Sequence, residues 1–392
     1  MRVIICGAGI AGLALAQRLG RLGADVVVLE QAAGLREQGY MIDFFGPGYD
    51  AAEATGTLAG IERYGYRVDE LTYRDETGRR RASMSYANIS RMVGGRLVSV
   101  MRPDLERALR EQLPAQIPIS YATRPAAVDN RPDGVTVTLE DGRTVEGDLL
   151  VGADGIHSWV RHAVFGPGFR RYLGFHTAAW SFADPEAHGQ VDGQICLTDT
   201  VDRQMGFYPL RDGRVAVFTV HRAPDPALPA DPVAALRSVY GSLGWLVPRA
   251  LAQLPPPARV FYDEVAQIEM PSWSRDRVVL LGDAAYAVSL LAGQGASLGV
   301  AGADVLAEHL VREPDIPAAL ARYERDLRPV VTEKQRVARS GARWFLPAST
   351  SQLRLRRAAL ALSWLPGADR RIATALVGKS TAVITNLHAA GA

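Results

Sequence analysis

Between Val3 and Glu30 the hydrophobic pattern changes period twice. Val3–Cys6 is an unbroken apolar run, Leu13–Leu22 spaces small and apolar residues three and four apart, and Asp25–Leu29 is a second apolar run closed by Glu30. Short unbroken runs read as buried strands and the three-and-four spacing as a helix, giving strand, turn, helix, strand. Farther on, Asp104–Leu113 reads as a helix entered from Arg102-Pro103. Val135–Leu139 alternates like a strand, turns at Asp141-Gly142, and leads into a strand over Thr144–Val151. From Gly168 to Arg222 the texture becomes short, aromatic or alternating stretches between turn residues, which predicts a β-rich region. Asp231–Leu246 reads as a helix, Arg277–Leu281 as a buried strand and Val300–Leu310 as a helix. The arginine-bearing stretch beyond Pro347, notably Leu353–Leu362, reads as a terminal helix packed across the domains rather than a membrane-surface or partner helix.

Glycines punctuate the first unit. Gly7, Gly9 and Gly12 stand in a G-x-G-x-x-G pattern straight after the first strand, with Ile10 and Ala11 between them and Glu30-Gln31 about 20 residues on. Gly7 permits a sharp turn, Gly9 lets backbone approach a pyrophosphate, and Gly12 lets helix and strand pack. The helix start offers unpaired N–H groups to phosphate, and Glu30 can accept from a ribose hydroxyl. Met1-Arg2 followed by an apolar run could also open a secretion signal, but a signal needs none of these glycines. The pattern leaves NAD and FAD both open. Composition adds bounds: 392 residues suffice for two domains, 48% hydrophobic and 22% charged is globular, and a net charge of +2 gives no case for nucleic acid. No apolar run reaches membrane-spanning length without a charge. Two cysteines, Cys6 and Cys196, make no disulfide framework and suit a cytoplasmic setting. The seven histidines do not cluster, and His157 and His162 are badly spaced for one helical face, so no metal site is expected.

A second glycine-rich turn follows the strand at Arg277–Leu281. Gly282-Asp283 stands at its end, and small residues follow through Gly293, Gln294, Gly295, Ala296, Ser297 and Gly299. They keep side chains away from something flat and large, and the next helix points its positive end at it. Between the two signals, Leu149–Gly166 places Gly152-Ala153-Asp154-Gly155 after a strand, then Ser158 and Arg161. Together GAGIAG with Glu30, GADGIHSWVR and GDAAYAVSLLAGQGASLG resemble the three fingerprints of the FAD-dependent, p-hydroxybenzoate-hydroxylase-like (class A) monooxygenases. The likeness is to the short members, which include tetracycline-modifying and aromatic-polyketide hydroxylases, and it spans about residues 1–340.

The resemblance implies an α/β chain with a Rossmann-like, glutathione-reductase-type FAD-binding domain (1–70, 95–168 and 265–340), an inserted β-sheet substrate domain (71–94 and 169–264) and a C-terminal helical segment (341–392). It also implies FAD contacts from Arg36 and Arg102, an FAD and NAD(P)H role for Asp154, and a nicotinamide-phosphate role for Arg161. Asp283 would reach the ribityl or pyrophosphate region. NADH or NADPH would reduce the flavin from a surface groove, O2 would add to give a C4a-hydroperoxide, and an aromatic or polycyclic natural product would be hydroxylated by a monomer or homodimer. Three positions depart from the family: Tyr286 where His is usual, Leu290 where Pro is usual, and Ser297 where Asn is usual. Leu290 opens the alternative of another FAD-dependent oxidation: Baeyer–Villiger insertion, epoxidation, dehydrogenation or cyclisation. Met41, Trp180, Met205, Phe207 and Leu290 are candidate pocket walls, with plain core as the competing reading for the sheet residues. His221, Tyr208 and Asp43 are candidate bases for deprotonating a phenol, against the plainer reading of ordinary hydrogen-bonded residues.

Overall fold

The computed structural model describes residues 1–35, 39–290, 293–361 and 381–389. The first apolar runs form the middle of a six-stranded sheet. Its order is Ser274–Arg275, Val278–Leu280, Leu149–Gly152, Arg2–Cys6, Asp25–Leu29, Ile119–Ser120. All neighbours run parallel except the Ser274–Arg275 edge. Val3, Ile4, Ile5, Leu149, Leu150 and Val151 have no exposed surface, as strands covered on both faces require. The helices Ile10–Arg21 and Gly295–Arg312 pack together on this sheet. The expected strand over Thr144–Val151 divides at Asp148. Thr144–Gly147 joins a three-stranded antiparallel sheet, whereas Leu149–Gly152 enters the parallel one.

The β-rich region builds a seven-stranded sheet in the order Phe261–Ile268, Arg170–Ala183, Arg214–Arg222, Arg203–Pro209, Gln194–Thr198, Glu70–Arg74, Arg80–Ser85. A two-stranded ribbon, Met41–Phe45 with Leu97–Met101, stands against it. Side chains alternate across a strand, so each face has its own partners. The back face carries Trp180, Phe182, Met205, Phe207, Val215 and Val217 against Leu236, Tyr240, Leu246, Val247 and Ala250. The front face carries Phe175, Val220 and Val265 under Leu346, and Tyr208 and Ala216 against Met101. The helix expected over Asp231–Leu246 ends at Tyr240, as Pro232–Tyr240, and a separate helix, Val247–Ala252, follows. Asp231 caps the first by accepting from the Val233 and Ala234 N–H groups. Gly241 and Gly244 interrupt the run, and at Gly244 a Cβ would lie 2.3 Å from the Glu76 carbonyl oxygen. The arginine-bearing helix is Thr350–Ala361 and packs on Arg80–Ser85; Leu362 lies outside the described residues, and a further helix, Val383–Ala389, follows in the chain.

Candidate active site

Three glycines of the first turn meet different demands. Gly7 takes φ +109°, and a Cβ there would lie 2.4 Å from the Ala153 carbonyl oxygen. A Cβ on Gly12 would lie 1.9 Å from the Gly7 carbonyl oxygen. Gly9 has nothing nearer than Glu106 Oε1 at 4.0 Å, so its free space faces outward. The helix Ile10–Arg21 starts here with no side-chain cap, leaving its first N–H groups for an anion. Glu30 is held at the same edge, its two oxygens accepting from the Ala8 and Ala32 N–H groups at 2.7 Å each. Gln31 follows, exposed.

Opposite, Gly282-Asp283 ends the strand Val278–Leu280. Asp283 is exposed while Ala284, Ala285 and Tyr286 beside it are buried. The surrounding protein pushes the Asp283 carboxyl up, and Arg102 draws it partly back. Asp283 is thus open to solvent while protein packs around it. Gly295 lies against it, since a Cβ there would be 3.5 Å from Asp283 Oδ1, and Gly293 has free space around it. Arg102 forms a 3.0 Å ion pair with Glu106, and its backbone N–H donates to the Tyr40 carbonyl. Glu106 was missed in the sequence, although its i,i+4 spacing from Arg102 was a usable signal. A glycine cradle, two uncapped helix starts and the Arg102–Glu106 ion pair near Asp283 fit an FAD diphosphate and ring. Arg36 lies outside the described residues.

Other assignments change. Gly299 would touch Ala11, Gly302 would strike the Tyr286 hydroxyl, and Gly48 packs on the Ser297 backbone, so much of the small-residue stripe serves helix packing. Ser297 Oγ donates to the Phe45 carbonyl and accepts from the Gly48 N–H, tying helix to ribbon. Tyr286 points into core, 4.7 Å from the Trp273 ring and bonded to Tyr323. Asp154 accepts from Ser158 Oγ and the Val160 N–H, which caps the helix Trp159–Phe165. Arg161 is 8% exposed and donates to the Ala284 and Ile156 carbonyls. Its guanidinium braces the Asp283 turn and has no free face for a nicotinamide phosphate.

Sheet parity corrects the pocket. Trp180, Met205 and Phe207 are back-face core, turned away from the cleft, because they alternate with the front-face residues Ala179, Gly206 and Tyr208. His221 is also on the back, between the Tyr240 and Tyr262 hydroxyls, and burial, then His176, lowers it to about 4. Tyr208 faces front, but its oxygen accepts the Met41 N–H at 2.6 Å and burial holds its proton on. Met41 and Leu290 do lie on the front face, Leu290 against Phe175, Val220 and Val265. Asp43 shares the ribbon face of Met41. Its Oδ1 accepts from the Tyr86 hydroxyl and from Ser99 Oγ at 2.7 Å, and burial pushes its carboxyl up. Tyr86 and Ser99 gave no sequence signal, since they reach Asp43 only through the tertiary fold. Tyr40 closes the junction, its ring 5.2 Å from Phe218.

Residues 1–338 match the family described as FAD binding domain. The chain belongs to that family. An uncharacterized protein of Mycobacterium tuberculosis is 30% identical over 346 residues, covering 85% of this chain and 91% of its own. The aurachin C monooxygenase/isomerase of Stigmatella aurantiaca is 29% identical over 326 residues, 83% of this chain and 84% of its own. The structure of Klebsiella pneumoniae HpxO complexed with FAD and uric acid superposes with a TM-score of 0.80 at 26% identity, covering 96% and 97%. The chain is thus an FAD-dependent monooxygenase of the class A fold, for which NAD(P)H and O2 are the general co-substrates. Among the described residues no helix is long and apolar enough to cross a membrane, and no group of three His, Cys, Asp or Glu could hold a metal ion.

Proposed function

We propose that this protein hydroxylates an aromatic or polycyclic small molecule seated between the front face of the seven-stranded sheet and the FAD cleft. The observation that carries this reading is the chamber wall. Leu71, Ile195, Phe218 and Leu290 are partly buried apolar residues on the front face, and Asp43 lies on the two-stranded ribbon that packs against that face. Gly7, Gly9 and Gly12, Glu30, Arg102, Asp283 and the Gly293–Ala296 turn would hold FAD, which supplies the activation of O2 when bound. The apolar wall orients a flat ring and keeps water out. Asp43 Oδ2 has no hydrogen-bond partner among the described residues and is positioned to take a phenolic or N–H proton. The raised carboxyl suits that task at neutral pH. Tyr86 and Ser99 line a surface groove of about 510 Å³, so a proton on Asp43 has a hydroxyl route to solvent.

One oxygen atom of O2 enters the ring and the other leaves as water, with NAD(P)H supplying two electrons. Use of NAD(P)H and the free, buried Cys6 and Cys196 support a cytoplasmic setting. The test is NAD(P)H oxidation by the FAD-loaded enzyme across a panel of phenols, naphthols and quinolones under labelled O2. Label in a hydroxylated product supports the reading. Substrate conversion that proceeds without O2 overturns it in favour of dehydrogenation or cyclisation on the same cofactor.

A further inference from the structure

Asp304 lies midway along the helix Gly295–Arg312 and is 2% exposed. A buried carboxylate is stable only when paired or hydrogen-bonded. Arg18, on the neighbouring helix Ile10–Arg21, brings Nε to 3.2 Å from Asp304 Oδ1, close enough for charge but out of line for a hydrogen bond. His388, from the helix Val383–Ala389, reaches Oδ2 at 2.8 Å. A carboxylate only accepts, so the ring Nε2–H donates. Among the described residues this is the one hydrogen bond on the Asp304 side chain. Burial pushes the Asp304 carboxyl up, and His388, then Arg18, draws it back. One turn on, Glu308 accepts from Arg18 and pairs with Arg312 at 2.7 Å, and Arg312 donates to the Leu387 carbonyl at 2.7 Å. Ile384 and Leu387 are buried in one apolar core with Leu13 and Val300 of the two longer helices.

Those two helices, Ile10–Arg21 and Gly295–Arg312, are the ones whose uncapped starts would hold FAD. Near the starts they nearly touch, since a Cβ on Gly299 would lie 3.3 Å from Ala11 Cβ. Farther along, Arg18, Asp304 and Glu308 join them, and His388 completes the junction. We propose that His388 is a positioning residue for FAD: by docking Val383–Ala389 on Asp304 it fixes the spacing of the two cofactor helices. The proposal rests on the placement of FAD given above. Docking and FAD binding then share one coupling free energy, so each strengthens the other by the same factor.

The test titrates FAD onto stripped protein, with flavin absorbance giving Kd, and follows amide hydrogen exchange with and without FAD. In wild type, FAD should slow exchange across Val383–Ala389 about five-fold or more beyond any slowing in Pro232–Tyr240, which reports stabilisation of the whole molecule. His388→Ala should raise the FAD Kd by the same factor. His388→Gln keeps an N–H donor for Asp304 and should recover most of the affinity. If a variant does not fold, the wild-type exchange measurement decides alone. A wild-type Kd in His388→Ala, an equal loss in His388→Gln, or exchange in Val383–Ala389 that FAD slows no more than the reference helix overturns the proposal. If wild type binds FAD in those experiments, the monooxygenase reading stands while His388 falls. A wild type that takes up no FAD overturns both.

Discussion

Gly9 and Gly12 are one helical turn apart and answer to different partners. A methyl on Gly12 meets the Gly7 carbonyl oxygen at 1.9 Å, so Gly12→Ala should cost roughly 1–3 kcal/mol of stability even in the FAD-free protein. A methyl on Gly9 meets nothing within 4 Å except Glu106 Oε1 at its limit. Gly9→Ala should therefore leave the FAD-free melting midpoint in place while weakening FAD by about ten-fold or more, about 1.4 kcal/mol. Equal melting losses in the two variants would show that Gly9 is also a packing glycine. Asp43 yields a prediction with a sign. Burial raises its carboxyl, and the Tyr86 and Ser99 hydrogen bonds oppose that shift. Activity on phenols should rise with pH along a limb set above the ordinary carboxylate pKa of about 4. Tyr86→Phe removes one opposing bond and should move that limb to higher pH. Asp43→Asn should abolish the limb and lower kcat by about 10²–10⁴-fold. A pH–rate profile of the three proteins decides, and an Asp43→Asn enzyme with wild-type kcat would remove Asp43 from the chemistry.

At the scale of elements, the helix Thr350–Ala361 is clamped to the seven-stranded sheet by charge. Arg356 and Asp199 are buried and pair at 2.8 Å, and Arg357 adds a second contact to the same carboxylate. The Arg356 guanidinium also lies 4.3 Å over the Tyr73 ring and donates to the Phe345 carbonyl. This holds Leu360 against Tyr73, Met84 and Leu197 on the front face, so the clamp would form a wall of the proposed substrate chamber. Asp199→Ala leaves a buried arginine unpaired, which should cost about 3–5 kcal/mol. It should also admit water, seen as a larger share of NADPH consumed to make hydrogen peroxide. Wild-type coupling in a folded Asp199→Ala protein would dissociate the helix from the chamber. On the back face, His221 is neutral when folded, with a pKa near 4 against about 6.5 unfolded. The unfolded chain binds the extra proton first. His221 therefore adds to stability above about pH 6.5, and that contribution drains away as pH falls towards 4, up to about 3 kcal/mol in all. His221→Gln should flatten that part of the urea midpoint against pH profile, and an unchanged slope would place the acid sensitivity elsewhere.

Across the whole molecule, what was legible in the sequence was what local backbone demands. Gly7 and Gly282 occupy turns and Gly12 the start of a helix, all places where a side chain cannot fit, and the acid at Glu30 follows from the length of one strand–helix–strand unit. What the sequence hid was parity and long-range pairing. The alternation in RQMGFYPL marks two faces but not which one meets the cofactor. Trp180, Met205, Phe207 and His221 therefore read as pocket residues until the helices Pro232–Tyr240 and Val247–Ala252 were seen to claim their face. Asp43, Ser99 and Tyr86 come from separate elements, and Arg356 reaches Asp199 across 157 positions. The proposed FAD cradle has the same dispersed origin, drawn from Gly7–Gly12, Arg102, Asp283 and Gly293–Ala296. Only the folded chain assembles it, so FAD must stabilise the native state by mass action. Stripped protein should melt lower than loaded protein, and free FAD at 100 times its Kd should restore about 2.7 kcal/mol. The Gly9→Ala variant, with its weaker site, should need proportionally more FAD for the same gain, with the two curves superposing once concentration is scaled by Kd. A melting midpoint indifferent to FAD would mean that these separated segments do not form one site.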